Sequence, residues 1–234
     1  MEKLKTLLNE IKVSKFTYLY ILYNLFIRNR KWNKKNTYAD CGEDLFIFKQ
    51  FKKKRGFYVD VGCHHPTKLN NCHLLYEKGW RGINIDLNKI SIQLFDFVRK
   101  EDVNINSAVS LKRKKIKFFY DKLLSPYNSL NKHKDLKFSK LINSNRLTNI
   151  IEKTRFKNRK IDFLSIDVEG KELEVLKSLD FKIYKPKFIC VEIWGLTKNI
   201  KFDLSKNLAY KFLIKKNYKI VFNKKENYIF KQKN

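Results

Sequence analysis

Four places in the chain put acids, glycine or histidine where an apolar run ends. They are VDVGCHHP at 59 to 66, Asp86 closing GINID, IDVEG at 166 to 170 and VEIW at 191 to 194. Asp167 and Glu169 stand two residues apart, so a straight strand sends both carboxylates to one side. There they could orient an acceptor hydroxyl and remove its proton. His64 and His65 are second candidates for the base, because imidazole titrates near neutrality. Glu192 faces the same edge and could contact an acceptor or a cation. Asp167 with Glu192 imitates a pair of divalent-cation ligands, but the sequence offers no third ligand, so no metal is expected.

The turn after the first run has Gly62 but lacks the G-x-G-x-x-G set that brings backbone against a pyrophosphate. Asp86 follows Asp60 by 26 positions, where an acid can accept hydrogen bonds from both hydroxyls of a ribose. One glycine and one acid suit an adenosine-bearing ligand without a diphosphate. Plainer readings compete: Gly62 as a tight turn, Asp86 as a helix N-cap, and Glu169 with Glu172 as favourable charges at a helix start. Cys63, His64, His65, Cys72 and His73 lack the C-x2-C or H-x3-H steps of a zinc site.

These groups need a scaffold that gathers strand ends. From Gly56 onward short apolar runs alternate with amphipathic stretches, the order of a parallel sheet covered by helices. Strands are expected at 56 to 62, 82 to 86, 103 to 110, 161 to 170 and 187 to 194. Helices are expected at 66 to 80, 89 to 99, 146 to 156, over KELEVLKSL and near 204 to 216. Residues 116 to 120 read as a short extra strand and 121 to 145 as an irregular insertion. YKIVF and NYIFK, joined by NKKE, read as a closing hairpin.

Taken together, GFYVDVGCHHPTKLNNCHLLYEKGWRGINIDLN, DVNINSAVS and IDFLSIDVEGKELEVLKSLDF resemble the FkbM family of S-adenosylmethionine-dependent methyltransferases. The resemblance runs from about Tyr38 to Trp194. It implies an α/β class I methyltransferase fold: a Rossmann-like, doubly wound sheet, mostly parallel, with an antiparallel C-terminal hairpin strand. It further implies donor contacts at Asp60, Gly62 and Asp86, adenine beside Ser107 and Ala108, and a role for Glu43 within the acidic Gly42-Glu43-Asp44 motif. Cys72, Cys63 and Asn70 depart from the residues usual in the family. The implied cofactor is S-adenosyl-L-methionine and the implied reaction is O-methylation of a sugar, glycan or other small metabolite. The acids suit a donor that carries a sulfonium cation.

Composition bears on partners. The 234 residues hold 52 Lys plus Arg against 23 Asp plus Glu, a formal charge of +29. That excess points first to nucleic acid, anionic membrane or a phosphorylated ligand. Its distribution redirects the reading: net zero over 56 to 86 and −4 over 161 to 180, but +7 over 1 to 36, +13 over 112 to 160 and +9 over 198 to 234. A neutral-to-acidic site inside a lysine shell that could hold the phosphates of an acceptor favours a small or sugar acceptor over the alternatives of an RNA or DNA methyltransferase or a basic nucleic-acid-binding module.

Residues 37 to 234 are expected to form the methyltransferase domain and 1 to 36 a basic, aromatic helical extension. Its apolar run, FTYLYILYNLFI, is too short to span a bilayer. It reads as a buried or dimer-forming helix, or as an interfacial helix bordered by bases. Four scattered cysteines and no cleavable leader pattern suggest reduced thiols and a cytoplasmic setting, with contact at the inner face of a membrane as the variant.

Overall fold

The computed structural model describes residues 16–32, 35–52, 55–121, 124, 137–193 and 203–233. The apolar runs form β1 (Phe57–Val61), β2 (Arg81–Asp86) and β3 (Val103–Asn106), followed by β4 (Ala108–Val109), β5 (Lys114–Tyr120) and β6 (Phe138–Asn145). After these come β7 (Phe163–Ile166), β8 (Phe188–Glu192), β9 (Tyr218–Lys224) and β10 (Asn227–Gln232). The helices are α1 (Glu43–Gln50), α2 (His73–Glu77), α3 (Lys89–Val98), α4 (Leu147–Glu152), α5 (Glu172–Ser178) and α6 (Leu208–Lys215).

Seven strands form one sheet in the order β3-β2-β1-β7-β8-β10-β9. The first five are mutually parallel, and β10 runs antiparallel between β8 and β9. Alternation along the strands feeds two cores. Phe57, Val59, Val61, Ile189 and Val191 enter the larger one, whereas Tyr58, Phe188 and Cys190 face the other side. Period-two alternation inside otherwise apolar strands is what a sheet covered on both faces requires. Because β1 pairs with β2 on one flank and β7 on the other, a crevice opens beyond its carboxyl end, where open α/β sheets bind ligands.

Several elements are shorter or differently joined than the sequence suggests. Only His73–Glu77 of the expected 66-to-80 helix is helical. The amides of Thr67 and Lys68 are bound instead by His65 Nδ1, and Leu69 takes a left-handed φ of 49°. The expected third strand splits: Ala108–Val109 leaves the main sheet and pairs with β6. The supposed irregular insertion contains β6, antiparallel to β5, in a three-stranded side sheet. Residues 125–136 and Trp194 lie outside the described residues. The last helix is divided because Asn207 caps α6, accepting from the Tyr210 amide.

Residues 16–22 are α-helical and continue into a π-helical turn at Tyr23–Arg28. Ile21 and Leu25 pack against Leu94 of α3 and against Leu124. The expected burial therefore holds for one face of this helix; the other is exposed. No helix among the described residues is long and apolar enough to cross a membrane.

Candidate active site

The exits of β1, β2 and β7 converge on one cleft of about 980 Å³, its open mouth included. Gly62, His64, Asp86, Ser107, Ala108, Asp167 and Glu169 all line it. A Cβ on Gly62 would stand 1.7 Å from the Asp167 carbonyl oxygen, and Gly62 has φ +81°. Glycine here is what lets the β1 and β7 exits approach each other.

Asp86 is 8% exposed and sits at the end of β2. Its Oδ2 accepts from the His64 amide at 2.9 Å and its Oδ1 from the Asn88 amide at 2.7 Å. Each oxygen keeps a lone pair for a ligand hydroxyl. Burial pushes its pKa up to about 6, against the pull of those two amides, so it is ionised at pH 7. Leu87, Ala108 and Val109 provide an apolar wall beside it.

Arg99 is fully buried and organises the β1 loop. Its guanidinium donates to the Pro66 carbonyl, to Asn70 Oδ1 at 2.7 Å and to Tyr58 Oη at 3.3 Å. Asn70 in turn donates to Asp60 Oδ2 at 3.0 Å and the Cys63 carbonyl at 3.2 Å. Asp102 completes the group, accepting from Tyr58, the Gly82 amide and Asn84. Asp60 thus lies beneath the cleft, anchoring its loop rather than lining it.

Glu43 is likewise removed from the cleft wall. It is fully buried at the start of α1, where Oε2 accepts from the Cys41 amide at 2.8 Å. Its neighbour Asp44 binds Thr37 and the amides of Tyr38 and Leu45. The acidic motif orders the segment ahead of β1, as carboxylates near a helix start do. His65 is 1% exposed, and its Nδ1 serves the Thr67 and Lys68 amides. Burial drives its pKa down to about 3, which sets it aside as a base. His64 reaches the cleft, but burial lowers it to about 4.

Asp167, Glu169 and Glu192 each offer an oxygen within 4.8 Å of the others. The third carboxylate that the sequence reading lacked is Glu169, turned into the group by a left-handed φ of 51°. Non-glycine residues with such backbone are uncommon, and His64 and Leu69 on the same cleft share it. Asp167 meets solvent at the cleft mouth yet is enclosed on its other sides. That enclosure, then the charge of Glu192 and a hydrogen bond with it, holds its pKa well above the carboxylate range. Glu169 also meets solvent at the mouth; partial enclosure of its carboxyl, then the charges of Glu192 and Glu172, raises it to about 7. Such a trio could also hold a divalent cation.

Leu69, Leu87, Val109, Lys171 and Arg99 escaped the sequence reading. Leu87, Val109 and Lys171 lie within two positions of residues that were chosen, so nearness to a strand exit is the signal that could have found them. Arg99 had none, since an arginine ending a helix reads as a surface cation.

This strand order, with its antiparallel strand inside the terminal hairpin and its cleft at the β1 exit, defines a class I S-adenosylmethionine-dependent methyltransferase. Residues 60–210 match the Methyltransferase FkbM domain, and the chain belongs to that family. S-adenosylmethionine is the methyl donor that this membership implies, and the cleft could receive it: Asp86 would meet the ribose, Leu87 and Val109 the base, and the acids the sulfonium. No curated protein matches the chain. Among solved structures, monomeric WbdD is 11% identical, covering 89% of this chain and 45% of its own, with a TM-score of 0.47. A putative type 11 methyltransferase from Sulfolobus solfataricus is 14% identical, covering 82% of this chain and 92% of its own, with a TM-score of 0.43. TehB from Haemophilus influenzae is 12% identical, covering 86% and 65%, with a TM-score of 0.45. The chain spans 45% of the length of WbdD.

Proposed function

We propose that the protein methylates a hydroxyl oxygen of a sugar or other small metabolite, with Glu169 as the general base. The observation that carries this is the cluster of Asp167, Glu169 and Glu192, whose oxygens lie within 4.8 Å of one another beside the donor cleft, a crowding that helps raise Glu169 to about 7. A hydroxyl must lose its proton as it attacks, whereas a neutral amine is already nucleophilic. A base poised near the working pH serves the first case. Bound S-adenosylmethionine supplies the methyl group on a sulfonium. Asp86 holds the donor's ribose, and Asp167, hydrogen-bonded to Glu192, orients the acceptor. Glu169 takes the hydroxyl proton. The lysine shell, at +13 over 112 to 160, attracts an acceptor that carries phosphate or other anionic groups.

The test begins with calorimetric titration of S-adenosylmethionine, then measures methyl transfer to a panel of sugars and nucleotide sugars. Donor binding followed by transfer to hydroxyl acceptors, with a rate unaffected by EDTA, is expected. Transfer only to amines would overturn the oxygen reading. A rate lost in EDTA and restored by magnesium would reassign the trio as a cation site. Retention of RNA or duplex DNA at physiological salt would favour the nucleic-acid alternative.

A further inference from the structure

The N-terminal helix buries one face and leaves a second apolar face in solvent. Phe16 is 79% exposed, Leu19 63%, Tyr23 46%, Phe26 56% and Ile27 63%, while Ile21 at 6% and Leu25 at 2% hold the helix to α3. A step of three puts Phe16 and Leu19 on one side of the α-helical part, and the exposed Tyr23, Phe26 and Ile27 continue the apolar surface along the π-helical turn. Bases bracket this stripe: Lys12 and Lys15 precede it, and Arg28, Arg30, Lys31 and Lys35 follow.

A second copy of the chain is the rival occupant, because such spacing also describes a coiled-coil seam. In the sequence, however, the apolar residues at these steps end with Phe16 and Phe26: four positions before the first is Lys12 and four after the second is Arg30. The apolar seam is thus two heptads long, short of the three or four that sustain a coiled coil. A short aromatic and aliphatic face ending in bases on both sides is the pattern of a helix lying in a bilayer interface. A net +7 over residues 1 to 36 complements anionic headgroups.

We propose that this face docks on an anionic lipid bilayer, with Phe16, Leu19, Tyr23, Phe26 and Ile27 at the headgroup boundary and Arg28, Arg30 and Lys31 on lipid phosphates. The surface also adjoins the cleft. Asn29, just past the helix, contacts His65 Nε2 at 3.3 Å, and its neighbour His64 lines the cleft. Docking would set the β1 edge of the site one loop from the lipid. The proposal does not depend on which acceptor is methylated.

The test is cosedimentation of the full chain with vesicles of phosphatidylcholine, alone or with about one third phosphatidylglycerol. Wild type should pellet with the anionic vesicles. The Leu19→Ser/Ile27→Ser variant, which spares the contact of Phe26 with Phe97, should partition at least about tenfold less while keeping its melting temperature and donor affinity. Equal pelleting of both proteins would overturn the proposal by assigning the binding to the lysine shell. Absence of wild-type pelleting would also overturn it, including where sedimentation shows a dimer that the variant loses. Phe16→Trp adds a ring rather than removing one and guards against a folding defect. It should show emission quenched by brominated anionic lipid beyond that of wild type, and no added quenching overturns the proposal.

Discussion

Around β1 and β2 the acids are held by donors. Asp86 accepts two backbone amides, Asp60 is bound by Asn70, and Asp102 has three donors with Arg99 close by. At the exits of β7 and β8, Asp167, Glu169 and Glu192 face chiefly one another. Among the described residues, no lysine or arginine forms an ion pair with this trio. The same residue types therefore do opposite work. Burial raises the pKa on both sides; around β1 and β2 the donors work against that rise, whereas at β7 and β8 the neighbouring like charges add to it and leave protons to exchange.

The largest effect should come where the two halves touch. Gly62→Ala would force a methyl group into the Asp167 carbonyl at a left-handed backbone position. It is expected to cost about 3 kcal/mol or more, read as a lower denaturant midpoint together with lost donor binding; a variant of unchanged stability would refute the close approach. Arg99→Met attacks the donor-side half alone. It leaves Asp60 and Asp102 buried without their cation, at a cost of about 3 to 5 kcal/mol, and where folded protein is recovered the pH profile of turnover should keep its shape.

Glu169→Gln attacks the other half. Turnover should fall by about 10² to 10⁴, with donor affinity changed by no more than about twofold and the loss of rate below about pH 7 removed from the profile. A fall in donor affinity that accounts for the lost rate would place Glu169 on the donor side instead. Asp86→Asn should do the reverse, weakening donor affinity by about 10- to 100-fold, as the loss of hydrogen bonds to a charged group does; titration calorimetry decides.

The smallest effect is one of linkage. Glu169 has a raised pKa in the folded chain, about 7 against 4.5, so between those values the unfolded chain binds fewer protons. Its contribution to stability is fully present below about 4.5 and is lost as pH rises through about 7. The stability of Glu169→Gln relative to wild type should therefore rise over that window and then level off. The comparison with the variant matters because buried His64, His65 and His73, all with lowered pKa, act in the opposite direction. A difference that is flat with pH would mean Glu169 is an ordinary surface acid.

The main sheet was legible because its signals are local. β1, β2, β7 and β8 are apolar runs closed by Gly or acids, and the terminal hairpin follows from two aromatic runs around NKKE. The side sheet was not, because FSKLINSN carries scattered polar residues and acquires its pairing only against β5. The 66-to-80 helix failed for a related reason: His65 draws off two amides that a helix would have used.

For the site, the residue types at the strand exits were readable, and so was their gathering at one edge, since the βα order fixes which end of a parallel sheet carries the loops. Which acids would be paired was not. Asp60 and Asp86 look alike in sequence, yet Arg99, 39 and 13 positions away, draws Asn70 and Asp60 into a buried network while Asp86 remains on the cleft. The left-handed turn at Glu169, which adds a third carboxylate to Asp167 and Glu192, depends on backbone packing of the β7 exit against Gly62. Sequence determined the strands, their order and the chemistry delivered to one edge, because propensity and alternation act over a few residues. Tertiary structure alone decided which charges are neutralised and which are left to titrate, because pKa values depend on distances between groups far apart in the chain.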